Sequence, residues 1–346
     1  MPSTGTLEEM YENMVTARYY EERLEEEYMA DKKPAFDISK GLIPGELHLA
    51  AGQEAAAAGV CAHLRDDDTV TGPHRPHHIA IAKGVDLKRM TAEIFGRETG
   101  LSRGKGGHMH LFDPAVNFAC SGIIAEGVPP AAGAALAAKK RNTDSVAVAF
   151  LGEGAIDQGG FLETLNFASV HDLPLVMVIE DNEWAISMPK ERVTDVEDGS
   201  KRAWGFDMPG ERVDHDDAVD VYEVAEDAIG RARDGNGPTL LEIQVHRRMP
   251  HFLGDPQVYR SEENIERHQQ LDSIERLADD LRDRGVEDGD LDEIRESAHA
   301  RVDEAIEWAK EQPLPEPETA YEDVWTNPPY GVSDTEPAVP VPGGDD

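Results

Sequence analysis

At 346 residues the chain can bury one large core or two small ones, and its net charge of −37 excludes nucleic acid and anionic membranes as partners. A hydrophobic content of 39% and well-formed apolar runs separate it from disordered acidic chains. They leave a folded protein whose acidic, lysine-poor surface suits a salty cytoplasm, where screening relieves self-repulsion. Cys61 and Cys120 are the only cysteines, so there is no disulfide framework and no thiolate metal site. No apolar run reaches the roughly 18 residues of a membrane span, and no signal peptide opens the chain. The expectation is a soluble, cytoplasmic protein.

Leu7 to Met29 places Met10, Met14, Tyr20 and Leu24 among Glu and Arg residues at amphipathic spacing, which predicts a packing helix within an N-terminal element over 1–30. A loop rich in lysine, proline and glycine, Asp31 to Pro44, opens a domain expected over 31–312. His48 then leads into a small-residue helix, Gln53 to Leu64; a lone histidine in such a place most often serves structure. Thr69 to Thr71 reads as a short strand, followed by Gly72-Pro73-His74-Arg75-Pro76-His77-His78. Zinc is one reading of these histidines, yet His-x-x-His-His without a thiolate matches no common zinc pattern. Leu87 to Phe95 is a helix. The basic glycine loop Arg103 to His110 suggests a phosphate cradle, but the Walker spacing fails and Gly106 follows Lys105 where Ser or Thr is needed. Ala131 to Lys139 is a small-residue helix able to pack closely against a neighbour.

Val146 to Phe150 is too short for a helix and is bounded by glycine, so it reads as a buried strand. The Gly152-Glu153-Gly154-Ala155 turn lets the backbone approach something closely, and a helix over Gly160 to His171 leaves it. Leu173 to Ile179 is a second buried strand, ending in Glu180-Asp181-Asn182-Glu183-Trp184. Strand, helix, strand makes a right-handed crossover with both polar clusters at the carboxyl edge of a parallel sheet, where open α/β sheets bind ligands. The carboxylate of Glu153 and the amide oxygen of Asn182 suit Mg²⁺, and the glycine amides beside a helix start suit a phosphate. A Mg²⁺-bridged diphosphate is therefore one reading; a turn with two solvated polar residues is the other. The third glycine of the dinucleotide fingerprint is missing, which disfavours a nucleotide-binding Rossmann protein.

Pro189 to Asp214 is polar and loop-like. Asp217 to Arg233 is a helix, and Pro238 to Val245 a third buried strand that delivers His246 to Pro256 to the same edge. Glu262 to Gln312 is helical and charged, with a break near Gly285 to Gly289. The segment 313–346 is acidic and proline-rich, and Ser333 to Asp346 reads as a disordered tail.

GEGAIDQGGFLETLNFASVHDLPLVMVIEDNEWAIS resembles the alpha subunits of thiamine-diphosphate (ThDP)-dependent 2-oxoacid and acetoin dehydrogenase complexes. Glu153 replaces the usual aspartate and Asp181 the first asparagine of the motif; Asn182 is kept. The resemblance runs from Leu7 to Trp325 and implies the ThDP-binding α/β fold, a mostly parallel sheet with helices on both faces. It implies Mg²⁺ held by Glu153, Asn182 and the Trp184 carbonyl, with Gly154 and Ala155 lining the cofactor. Arg75 would hold the diphosphate, and the backbone of Gly122 and Ile124 the aminopyrimidine ring. His48 would face the substrate side, His74 and His77 the reacting centre, and His251 the diphosphate and reacting carbon. RGKGGHMHL matches a loop bordering the active-site entrance, and Tyr321 to Trp325 a segment that packs on the partner. The regulatory serine of mitochondrial relatives is Phe252 here, so that switch cannot operate.

By the same resemblance, ThDP supplies carbanion chemistry that cleaves a small 2-oxoacid or acetoin, and the product reductively acylates a lipoyl group on an acyltransferase. His251, His48, His74 and His77 are the candidates for proton transfer or anion stabilisation. The glutamate that activates the cofactor belongs to a separate beta subunit, so the chain is expected to be inactive alone and to work as an α₂β₂ heterotetramer. The wording His-Phe-x-Gly-Asp-Pro at 251–256 favours acetoin as substrate, with pyruvate and branched-chain 2-oxoacids as alternatives. A non-catalytic regulatory homologue is the alternative of another class. A one-chain ThDP enzyme would need a second half for which the length leaves no room.

Overall fold

The glycine-bounded apolar runs form the centre of one sheet. The computed structural model describes residues 1–30, 32 and 36–323. The sheet has seven strands: β1 (Thr69–Gly72), β2 (Phe112–Asp113), β3 (Phe118–Cys120), β4 (Ala147–Gly152), β5 (Leu175–Asp181), β8 (Gly210–Val213) and β9 (Thr239–Gln244). Their order is β2-β3-β1-β4-β5-β9-β8, and every pairing except β2 with β3 is parallel. A separate hairpin pairs β6 (Trp184–Ala185) with β7 (Met188–Pro189). A parallel sheet is covered on both faces, which is why its strands read as unbroken apolar runs.

Side-chain alternation divides the interior in two. Val176 and Val178 of β5 join Val148 and Phe150 of β4 on one face, while Leu175, Met177 and Ile179 join Ala147, Ala149 and Leu151 on the other. The first face is covered by α1 (Thr4–Met29), α2 (Glu54–Cys61), α3 (His77–Lys83), α4 (Leu87–Ile94) and α7 (Ala218–Arg233). The second is covered by α5 (Val128–Arg141) and α6 (Gly159–Val170), where Ala131, Ala132 and Ala135 let α5 lie close to the sheet. A third apolar cluster joins the N-terminal half of α1 to α9 (Ser273–Asp283) and α10 (Asp288–Lys310).

Three features depart from the sequence reading. The polar stretch after Met188 contains β8, a four-residue edge strand whose central residues are not fully buried and so carry no apolar run. The charged C-terminal helical segment breaks a second time at Leu271–Asp272, between α8 (Glu262–Gln270) and α9, where the Asp272 side chain caps α9 by accepting from Ile274 N. Strands β2 and β3 are too short to leave a period in the sequence. The expected tail over 333–346, Trp325 with its partner-packing role, and part of the 31–44 loop lie outside the described residues.

Candidate active site

The carboxyl ends of β1, β4, β5 and β9 open onto one cavity of about 460 Å³. Eleven of the twelve residues singled out in the sequence line it: His48, His74, Arg75, Gly122, Ile124, Glu153, Gly154, Ala155, Asn182, Trp184 and His251. The twelfth, His77, does not. It begins α3, is wholly buried, and donates from Nδ1 to Glu21 of α1 at 3.0 Å.

Glu153 follows β4 in a single 3-10 turn and lies almost wholly buried. Its Oε2 accepts from the Asn182 backbone N–H at 3.2 Å, whereas Oε1 has no partner. Burial, then the nearby Asp181 charge, pushes its carboxyl up to about 7. Asn182 Oδ1 accepts from Trp184 N at 3.3 Å, closing the turn into the β6–β7 hairpin. Glycine is required at 154, because a Cβ there would sit 2.8 Å from that of Ala185 in the same hairpin. Asp181, the departure from the family motif, is buried and receives the Lys190 ammonium, which also donates to Glu242 at 2.9 Å.

The Arg75 guanidinium donates to the carbonyl of Leu49 and, from Nη2, to the carbonyl and Nδ1 of His251 at 2.7 and 3.2 Å. It thus ties the loop carrying His48 to the loop carrying His251. Burial and the Arg247 charge lower its pKa to about 9, so it stays charged at neutral pH. Arg247 is also buried; it donates to the Ile186 carbonyl at 2.9 Å and to the Tyr259 hydroxyl at 3.0 Å, and that hydroxyl donates to Asp255 at 2.5 Å. A buried cation on the cavity wall, Arg75, favours an anionic ligand.

Beside Arg75, His48, His74 and His251 form a trio whose ring centroids lie 4.9 to 5.5 Å apart. One ring nitrogen from each falls within 4.8 Å of the others, and it is the one such metal-capable group among the described residues. Burial, then the Arg75 charge, lowers all three pKa values, that of His251 to about 4, so the trio is neutral at pH 7. The histidines of the 74–78 run share no centre: His74 lines the cavity, His77 meets Glu21, and His78 Nε2 lies 2.6 Å from Glu180.

Several contributors carried no signal. Glu21 sits in a glutamate-dense helix, yet both its oxygens accept from Ala50 N at 2.8 Å while it holds His77. The Arg103–His110 loop does form an amide cradle, but an internal carboxylate fills it: Ser102, Gly104 and Gly106 N–H groups donate to Glu93 at 2.7, 2.9 and 2.6 Å. Arg103 and Lys105 are spent on Glu98, Glu322 and Asp323.

A strand-edge cavity with an unpartnered carboxylate oxygen, a buried guanidinium group and neutral imidazoles has the make-up of a ligand-binding site. The sequence pattern of the dehydrogenase E1 component family matches residues 14–318. The chain is 38% identical over 320 residues to the alpha subunit of acetoin:2,6-dichlorophenolindophenol oxidoreductase from Bacillus subtilis, covering 92% of this chain and 93% of that one. The Cupriavidus necator protein of the same name is 40% identical over 331 residues, 93% of this chain and 95% of its own length. The pyruvate dehydrogenase E1 component subunit alpha of Porphyra purpurea is 36% identical over 315 residues, 88% and 89% of the two chains. The chain belongs to the dehydrogenase E1 component family, as an alpha subunit of the acetoin and 2-oxoacid dehydrogenase type, an oxidoreductase. Membership implies thiamine diphosphate as cofactor and a beta subunit as partner. Among the described residues no helix is long and apolar enough to cross a membrane.

Proposed function

We propose that this chain, joined to its beta subunit, cleaves acetoin and passes the acyl product to a lipoyl group on an acyltransferase. The observation that carries the reading is the buried, unpartnered Glu153 Oε1 at the strand edge, next to Asn182 and in the same cavity as the neutral imidazoles. The donor set fits the cofactor. A carboxylate oxygen left without a hydrogen bond, beside an amide oxygen, suits a hard divalent cation, so Glu153, Asn182 and the Trp184 carbonyl would hold Mg²⁺. Arg75, already placed by two loops, would hold the diphosphate, and Gly122 and Ile124 would meet the pyrimidine ring. Thiamine diphosphate, when bound, supplies the carbanion chemistry. The protein's part is orientation, exclusion of water, and neutral histidines that donate to or accept from the substrate oxygen.

The Bacillus subtilis and Cupriavidus necator relatives act on acetoin by name, and the 251–256 wording agrees, which sets acetoin ahead of pyruvate and branched-chain 2-oxoacids. The beta subunit would supply the activating glutamate of an α₂β₂ assembly, and the acidic surface would suit a salty cytoplasm. The test is a coupled assay on the co-expressed alpha and beta subunits in high salt with ThDP, Mg²⁺ and an artificial electron acceptor. Acetoin turnover, lost in Glu153→Ala and without the beta subunit, is the expected result. Turnover of pyruvate or a branched-chain 2-oxoacid instead would replace the substrate. Failure of ThDP to bind would overturn the cofactor reading in favour of a regulatory homologue.

A further inference from the structure

Two carboxylates line the cavity, and they differ in surroundings. Glu153 is sealed beneath it; Glu46 stands half-exposed at its opening, with Oε2 3.8 Å from His48 Nε2. No lysine or arginine among the described residues pairs with Glu46. Its main chain is fixed: the Glu46 carbonyl accepts from His108 Nε2 at 2.8 Å. That bond also sets a tautomer. With the His108 proton on Nε2, the His48 Nδ1 atom 3.4 Å from it can only accept, which puts the His48 proton on Nε2, facing the Glu46 carboxylate. His48 is therefore a neutral donor, and beside it stands the Glu46 carboxylate, which forms no ion pair with a lysine or arginine among the described residues. Arg75 and Arg247 make their hydrogen bonds to neutral groups, the Leu49, His251 and Ile186 carbonyls and the Tyr259 hydroxyl, and none to Glu46.

We propose that Glu46 selects substrates by charge, disfavouring the carboxylate of a 2-oxoacid and admitting neutral hydroxyketones, whose hydroxyl can donate to it. The inference rests on the ThDP reading, which puts the substrate on the His48 side of the cavity. Two like charges a few ångströms apart in a partly solvated site repel enough to change relative affinity by about tenfold. A hydroxyl in the same place meets an acceptor instead. The discrimination is electrostatic, so it weakens where salt shortens the screening length to about 3 Å at 1 M.

The experiment uses the alpha–beta complex as wild type, Glu46→Gln and Glu46→Asp. Glu46→Gln raises the kcat/KM ratio of pyruvate to acetoin by about tenfold, mostly through a lower KM for pyruvate, and Glu46→Asp restores the wild-type ratio. In the wild type, the same ratio rises between low and molar salt. A second arm reads binding directly, with methyl acetylphosphonate as an anionic pyruvate analogue and its dimethyl ester as the neutral match. Glu46→Gln tightens the anion and leaves the ester within about twofold. Equal changes for both probes, or none, in complex that binds ThDP overturn the charge filter while the cofactor reading stands. The phosphonate pair decides the matter even if neither substrate is turned over. Loss of ThDP binding in the wild-type complex removes both proposals together.

Discussion

Two clusters of buried charge meet at the end of β5, and they are completed differently. Behind the strand, Lys190 and Arg212 face Asp181 and Glu242, and Glu242 also accepts from Ser200 N at 2.9 Å. Every oxygen of Asp181 and Glu242 there has a partner, counting the Glu183 N–H on Asp181. In front, Glu153 Oε1 and His74 Nε2 are buried with none. Buried polar groups are normally satisfied, so a closed cluster reads as architecture and an open one as a place kept for a ligand. Both clusters arise from adjacent residues, Asp181 and Asn182, whose side chains serve opposite sides of one strand end.

Removing a member from each cluster should separate the two roles. Glu153→Ala in the alpha–beta complex is expected to lower turnover by at least about 10²-fold through lost metal and cofactor affinity, with a cost to the fold of about 1 kcal/mol, because Oε1 makes no internal bond and only the long Oε2 bond from the Asn182 N–H is lost. ThDP titration followed by Trp fluorescence, with Trp184 beside the site, checks the binding and a thermal melt checks the fold. Lys190→Met should do the reverse. It leaves Asp181 and Glu242 with Arg212 as their remaining cation, 3.6 and 2.9 Å away, and costs about 2 kcal/mol of stability, read by urea unfolding. If Lys190→Met instead leaves stability intact and abolishes cofactor binding, the rear cluster is not architectural and the contrast fails.

A milder version tests the support behind the histidines. Glu21 holds both the Ala50 N–H and His77, so Glu21→Ala leaves a buried donor unpaired and should cost about 1–3 kcal/mol. The loop over 46–53 is placed by that contact, so ThDP affinity should fall as well, by less than in Glu153→Ala. Unfolding and ThDP titration on the same sample read both effects.

What the sequence discloses follows from where the information resides. The β4–α6–β5 unit is legible because two apolar runs and a helical period lie in unbroken succession, and Glu153, Gly154, Ala155, Asn182 and Trp184 follow from the turns at its strand ends; the other six cavity residues come only from the resemblance to the ThDP-dependent alpha subunits. Glu21 was not legible: it stands beside Glu22 and near Glu25 to Glu27, and only the tertiary contact with Ala50 and His77 distinguishes it. His74 and His77 are three residues apart, yet one precedes α3 and the other begins it, so they diverge. The glycine amides of 104–106 look ready for a phosphate until Glu93, eleven to thirteen residues earlier, is seen to occupy them. In each case the ambiguity lies in which partner fills a polar site, a property of packing and not of local pattern.

Asp216 is the sharpest challenge to the rule that unpartnered groups mark ligand sites. Both of its oxygens are buried without a hydrogen bond, but it lies outside the cavity, near Glu54 and Ser273. Burial, then the Glu54 charge, raises its pKa well above the carboxylate range. The native state then keeps a proton that the unfolded chain, with an aspartate pKa of about 3.9, releases. Since the unfolded state binds fewer protons, stability is greatest below that value and falls as pH rises through the folded pKa. Asp216→Asn removes the titrating group, so it should raise the melting temperature by a few degrees at pH 8 and leave it nearly unchanged near pH 4. That pattern marks Asp216 as a protonated core acid and confines the rule to polar groups that open onto a cavity. A wild-type melting temperature at pH 8 equal to that of Asp216→Asn would mean instead that the carboxyl is neutralised or solvated at that pH.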